Sequence, residues 1–142
     1  MSGDRAQPAS AEPQSLELGE FACTVEGVHD GDGPIYCLEQ DAEGRRIKIR
    51  LSGIAAREID ETCRPGQPCP EASAQDARQE LLRLTTGRVL QCRREGRSYA
   101  RTVAQCSIDG VDLACAMIRS GKALRWERYD RERRLIDCRP DV

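Results

Sequence analysis

Arg50 and Glu58 stand eight positions apart in the stretch RLSGIAARE, directly after the alternating run IKIRL. A guanidinium on a strand can bind an oxyanion, and a carboxylate just past the strand end can take a proton from water. Between them, where a metal-dependent site wants a further carboxylate, stand Ala55 and Ala56. Upstream, HDGDG supplies Asp30 and Asp32; downstream, SYAR supplies Tyr99 and Arg101. His29 is the sole histidine, and its place beside a turn gives it no assigned role.

The elements that must position these residues follow from periodicity. FACTVEGV (21–28) and PIYCL (34–38) flank the turn-rich HDGDG and read as a hairpin. In IKIRL, Ile47, Ile49 and Leu51 share one face of a strand, with Lys48 and Arg50 on the other. After the proline-bounded loop CRPGQPCP, Ala74, Ala77, Leu81 and Leu84 recur at helical steps, with Ser73 and Asp76 as an N-terminal cap and Gly87 as a stop. RVLQC and RTVAQCSI read as two further strands around RREGRSYA. VDLACAMIRSG reads as a second helix capped by Asp112, and RYDRERRLIDC as a candidate third. Three strands, a helix, two strands and a helix predict a mainly β (α+β) domain over 21–138. The expected architecture is the five-stranded Greek-key barrel known as the OB-fold, with two to three packed helices. Residues 1–20, polar and without an apolar run, predict a disordered lead-in that is not a signal peptide.

With 142 residues the chain suits one modest core, and no apolar run approaches the roughly 20 residues a membrane helix needs. Membrane insertion is therefore excluded at this stage, and a monomer is expected. Twenty-two basic against 24 acidic residues give a net charge of −2, so bulk electrostatics do not argue for nucleic acid, although arginines cluster locally. The eight cysteines lack zinc-site spacing and read as disulfides, hence as a periplasmic or extracellular protein. Cys23 and Cys37 are symmetric about the HDGDG turn, Cys92 and Cys106 about Tyr99. Residues facing each other on antiparallel strands lie ~4.5–5.5 Å apart, within disulfide reach. Cys63–Cys69 would close the proline loop, leaving Cys115–Cys138, one pairing among the roughly 105 that eight cysteines allow.

The succession VHDGDG, IRLSGIAARE, helix, YARTVAQCSIDGVDL and MIRSGKALRW resembles the staphylococcal nuclease-like (thermonuclease) family over about residues 21–129. The resemblance implies an OB-fold and a calcium-dependent phosphodiesterase acting on DNA and RNA. It makes Asp32 the first metal carboxylate, Arg50 and Arg101 the phosphate-binding arginines, Glu58 the general base and Tyr99 a nucleotide-site residue. The sequence also departs from the family. The second metal carboxylate falls on Ala55 and the following threonine on Ala56. Arg57 replaces a proline and Gly33 a Thr or Ser, while Arg97 and Ala100 replace the Asp and Gly around the tyrosine.

Calcium takes roughly 6–8 oxygen ligands, so loss of one of two carboxylates predicts a weakened calcium site and low activity. Asp30 and Asp60 could substitute only through rearranged loops. The alternative is a catalytically inactive nuclease-fold module of the cell envelope, either structural or binding a nucleotide, a glycan or a protein.

Overall fold

The computed structural model describes residues 19–140; the expected lead-in lies outside the described residues except for its last two, and Glu20 already opens the first strand. Strands β1 (Glu20–Val28), β2 (Ile35–Gln40) and β3 (Arg46–Leu51) form an antiparallel meander. The alternation in β3 acts as read, with Ile47, Ile49 and Leu51 buried in the core. A two-residue strand β4 (Ile54–Ala55) follows, then the long loop and helix α1 (Ala74–Thr85). Strands β5 (Val89–Ser98) and β6 (Arg101–Ile108) form the second hairpin. Next come the short β7 (Val111–Asp112), helix α2 (Leu113–Arg119) and the two-residue β8 (Leu124–Arg125), which pairs with β4.

Five strands close a barrel. β1 pairs with both β2 and β5, β5 pairs with β6, and β6 returns to β3 in a parallel pairing that sets Arg50 opposite Val103 and Leu51 opposite Ala104. That parallel seam positions the site. It carries the end of β3, with Arg50, alongside the start of β6, with Arg101. The architecture is the mainly β, OB-like barrel with helices that the element order predicts.

Helix α1 follows its pattern: Ser73 Oγ accepts from Asp76 N at 3.0 Å, and Ala74, Ala77 and Leu81 are buried. Its fit against the HDGDG turn explains one glycine. A Cβ at Gly31 would lie 2.5 Å from the Ala77 Cβ and 3.0 Å from the Ala56 Cβ, so only glycine lets this turn sit between helix and β4. Asp112 caps α2 by accepting from Cys115 N at 3.0 Å.

All four disulfides join the cysteines as expected: Cys23–Cys37, Cys63–Cys69, Cys92–Cys106 and Cys115–Cys138. Cys92 directly faces Cys106 across β5 and β6. In the first hairpin the register differs from simple symmetry, because Val25 faces Cys37 and a bulge follows between Val25 and Gly27. Cys23 then reaches Cys37 diagonally with 5.1 Å between Cα atoms. Nearby, the buried Glu39 accepts from both the N–H and the hydroxyl of Thr24, each at 2.6 Å.

The third helix is corrected. RYDRERRLIDC forms only a 3-10 turn at Glu127–Tyr129 and then irregular chain. The buried Asp130 carboxylate organises it by accepting from Arg125 Nε at 2.8 Å and from Arg134 N and Leu135 N at 3.0 Å. These side-chain bonds offer the backbone a partner other than its own helical carbonyls. Among the described residues no helix is long and apolar enough to cross a membrane.

Candidate functional site

A groove of about 860 Å³ runs along the β3–β6 side of the barrel, and Asp32, Arg50, Glu58 and Arg101 all line it. Four separated pieces of sequence therefore meet. Asp32 is delivered by the β1–β2 turn, Arg50 by the outer face of β3, Glu58 by the loop after β4, and Arg101 by the first residue of β6.

Asp32 is held from both its main chain and its side chain. Its carbonyl accepts from Leu51 N at 3.0 Å, and its Oδ2 accepts from Ala56 N at 2.9 Å, with Arg50 Nη2 at 3.4 Å. Arg50 Nη1 donates to the Leu51 carbonyl at 2.6 Å, which holds the guanidinium at the strand end. Arg101 folds back on the hairpin turn, donating from Nη2 to Ser98 Oγ at 3.0 Å. Burial lowers the Arg101 pKa from its ordinary value, and the nearby Arg50 and Arg64 lower it further, against Asp32 and Glu58. Guanidiniums crowded in this way are stabilised by a bound anion. Glu58 sits in a tight turn, its N–H on the Thr62 carbonyl at 2.8 Å, with its carboxylate 3.7 Å from Arg64 Nη2.

Tyr99 does not join them. It occupies the two-residue β5–β6 turn with φ +58° and is 88% exposed, outside the groove wall. Its place as a groove-lining aromatic is taken by Trp126 and Tyr129, which meet edge to face with ring centroids 4.7 Å apart. By default these two read as packing residues in the sequence. They reach the groove because β8 pairs with β4 and Trp126 N donates to the Gly53 carbonyl at 2.7 Å. A two-residue bridge leaves no periodicity to detect.

The positions of the expected second carboxylate and the threonine after it supply no calcium ligand. Ala55 is fully buried and outside the groove wall, and Ala56 gives Asp32 a backbone hydrogen-bond donor, not an oxygen ligand. Gly33, where the family has a hydroxyl residue, has φ +113°, and a Cβ there would lie 2.4 Å from the Ile49 carbonyl oxygen. Asp60 is tied to Thr62 and does not line the groove. Among the described residues the one trio of candidate ligand atoms within 4.8 Å of one another is Cys23, Cys37 and Glu39, and the two sulfurs are joined to each other. Asp30 does line the groove, with a buried Oδ1 that has no hydrogen-bond partner.

Burial pushes the Asp30 carboxyl up to about 6, with His29 opposing and the Asp32 and Glu58 charges adding. The folded state thus holds this proton more tightly than the unfolded chain. Stability from it is complete below about pH 4 and is lost as pH rises through about 6. Asp30→Asn removes the cost of ionising the group. It is expected to raise unfolding free energy at pH 7.5 by on the order of 2–3 kcal/mol, and by little at pH 4. Urea titrations at the two pH values measure this; equal gains at both would refute the assignment.

Charge in the groove differs from charge in the chain. Arg50, Arg64 and Arg101 stand near Asp32 and Glu58, and Arg93, Arg94, Arg97, Arg131 and Arg134 also line the groove, eight arginines against six carboxylates. The chain as a whole is at −2. Arg134 is bound to Asp112 at 2.7 Å and lies 3.5 Å from Glu95, whose carboxylate also accepts from Ser52 Oγ. No protein-family model matches the chain, and no curated protein matches it.

Proposed function

We propose that this chain is a staphylococcal nuclease-like phosphodiesterase of low turnover that takes a nucleic-acid strand in the arginine-lined groove. The observation that carries the reading is the meeting of Asp32, Arg50, Glu58 and Arg101 in one groove with an excess of guanidiniums, on a chain whose net charge is negative. Arg50 and Arg101 hold the non-bridging phosphate oxygens. The Glu58 carboxylate takes a proton from a water molecule, whose oxygen forms a bond to phosphorus as the bond to the leaving sugar oxygen breaks. Solvent protonates that leaving oxygen. The arginines act electrostatically, stabilising the charge that builds on the five-coordinate phosphorus. The four disulfides support a periplasmic or secreted location.

Cleavage of single-stranded DNA, with millimolar calcium and with chelator, is the direct test; no cleavage in either condition by folded protein refutes the enzyme reading. Binding of an uncleavable oligonucleotide measures the groove itself. If two to four phosphates are engaged, log K is expected to fall with log salt at a slope of about −1.4 to −2.8. A slope near zero would show that the arginines do not meet phosphates. The second reading, an inactive binding module, is favoured by the commitment of Asp32 Oδ2 to Ala56 N and by the burial of Ala55. It predicts the same salt slope without cleavage.

A further inference from the structure

The loop CRPGQPCP, closed by Cys63–Cys69, is built onto the floor of the site. Within it the Arg64 carbonyl accepts from Gln67 N at 3.0 Å, and Gln67 Oε1 accepts from Arg64 N at 2.9 Å. The buried Gln67 also donates from Nε2 to the Ala56 carbonyl at 2.9 Å, and Ala56 N is the donor to Asp32. A run of hydrogen bonds thus joins Asp32 to the Arg64 backbone through the alanine next to the missing carboxylate. The disulfide holds the two ends of the loop together around it.

From this anchor the Arg64 side chain reaches into the groove, 54% exposed, with Glu58 3.7 Å away as its carboxylate neighbour. That separation is longer than a hydrogen bond, so the pair is weak and the planar fork of N–H donors remains open to a competing anion. Arg50 and Arg101 are, by contrast, tied to main-chain or side-chain oxygens. A phosphodiester needs positive charge where a metal would otherwise supply it, and Ala55 and Ala56 bring no second carboxylate to Asp32 to hold one.

We propose that Arg64 is a third phosphate-binding guanidinium, held by the Cys63–Cys69 loop, and that it supplies in this groove the positive charge a divalent cation would otherwise bring. This rests on the phosphodiester reading above and deepens it. Arg64 exchanges no proton. It donates hydrogen bonds to a non-bridging phosphate oxygen, and its location beside Glu58 places that phosphate next to the base. Ligand binding is therefore metal-independent. The loop disulfide acts as a positioning device, since opening it frees Arg64 from a fixed approach to Glu58.

Calorimetric titration of the full chain with deoxythymidine bisphosphate in the presence of chelator tests this. Wild type is expected to bind, with no more than a twofold change on adding calcium. Arg64→Ala is expected to weaken binding at least tenfold and Arg64→Lys by less, whereas Arg83→Ala, on the outer face of α1, leaves it unchanged. The Cys63→Ser/Cys69→Ser pair is expected to weaken binding severalfold, and Arg64→Ala added to it to cost less than it does alone. An Arg64→Ala protein that binds within twofold of wild type overturns the role of Arg64 and leaves the phosphodiester reading standing. Wild-type binding that rises tenfold or more with calcium also overturns it. A folded wild type that does not bind the bisphosphate at all overturns both.

Discussion

Replacing Glu58 with Gln is expected to lower DNA hydrolysis by about 10²–10⁴-fold while leaving deoxythymidine bisphosphate affinity within a fewfold of wild type. Glutamine keeps the shape of the side chain and loses the basic oxygen, so the water is no longer deprotonated as it attacks. Its neighbours should hold their places, because the backbone around residue 58 is fixed by the Thr62 carbonyl and the Glu61 N–H, not by the carboxylate. The carboxylate bears on binding through the guanidiniums it attracts, Arg64 at 3.7 Å and Arg101. Removing that charge leaves Arg64 freer for phosphate, so a modest gain in affinity fits the scheme. Single-turnover cleavage and calorimetry separate the two effects. Turnover unaffected by Glu58→Gln would mean that another group activates the water; a large loss of affinity with little change in rate would make Glu58 a structural residue.

Much of this arrangement could be read before any coordinates. Strict alternation in IKIRL fixed which face of β3 is buried, and therefore that Arg50 looks outward into the groove. Cysteine symmetry about the two hairpin turns identified their bridges, because neighbouring strands hold facing residues at disulfide distance. The details that escaped lie where a local rule meets a tertiary exception. A bulge follows Val25, and Cys37 faces Val25 and not Cys23.

The two-residue β4 and β8 carry no pattern, yet their pairing brings Trp126 to the groove. The tail RYDRERRLIDC reads as a candidate third helix. Asp130 instead accepts two backbone N–H groups and an arginine, which turns the chain. Arg64 was hidden for a different reason. In the sequence it is one arginine in a proline-rich loop, and its approach to Glu58 depends on Gln67 reaching the Ala56 carbonyl.

Reduction of the disulfides is expected to unfold the domain in native buffer at 25 °C. Cys23–Cys37 and Cys92–Cys106 lie inside the barrel, all four residues buried, each bridging neighbouring strands. Their sulfurs are part of the core, in a chain with a single phenylalanine and a single tryptophan to supply bulk. Cys115–Cys138 fastens the irregular tail to α2. A native disulfide typically stabilises by about 2–4 kcal/mol, against a total of about 5–15 kcal/mol for a domain. Losing four therefore consumes most or all of the margin.

Removing single pairs should rank by what each one does. Cys92→Ala/Cys106→Ala opens a loop with a sequence separation of 14, against 6 for Cys63–Cys69, and leaves a hole in the core. Cys63→Ser/Cys69→Ser releases a short loop outside the barrel and costs least in stability, while its effect on ligand binding is the larger one. Trp126 fluorescence and far-ultraviolet circular dichroism during urea unfolding, with and without thiol, measure both. A reduced protein that unfolds cooperatively at the oxidised midpoint would show that packing alone sustains the barrel. It would also remove the physical reason for placing this chain in an oxidising compartment.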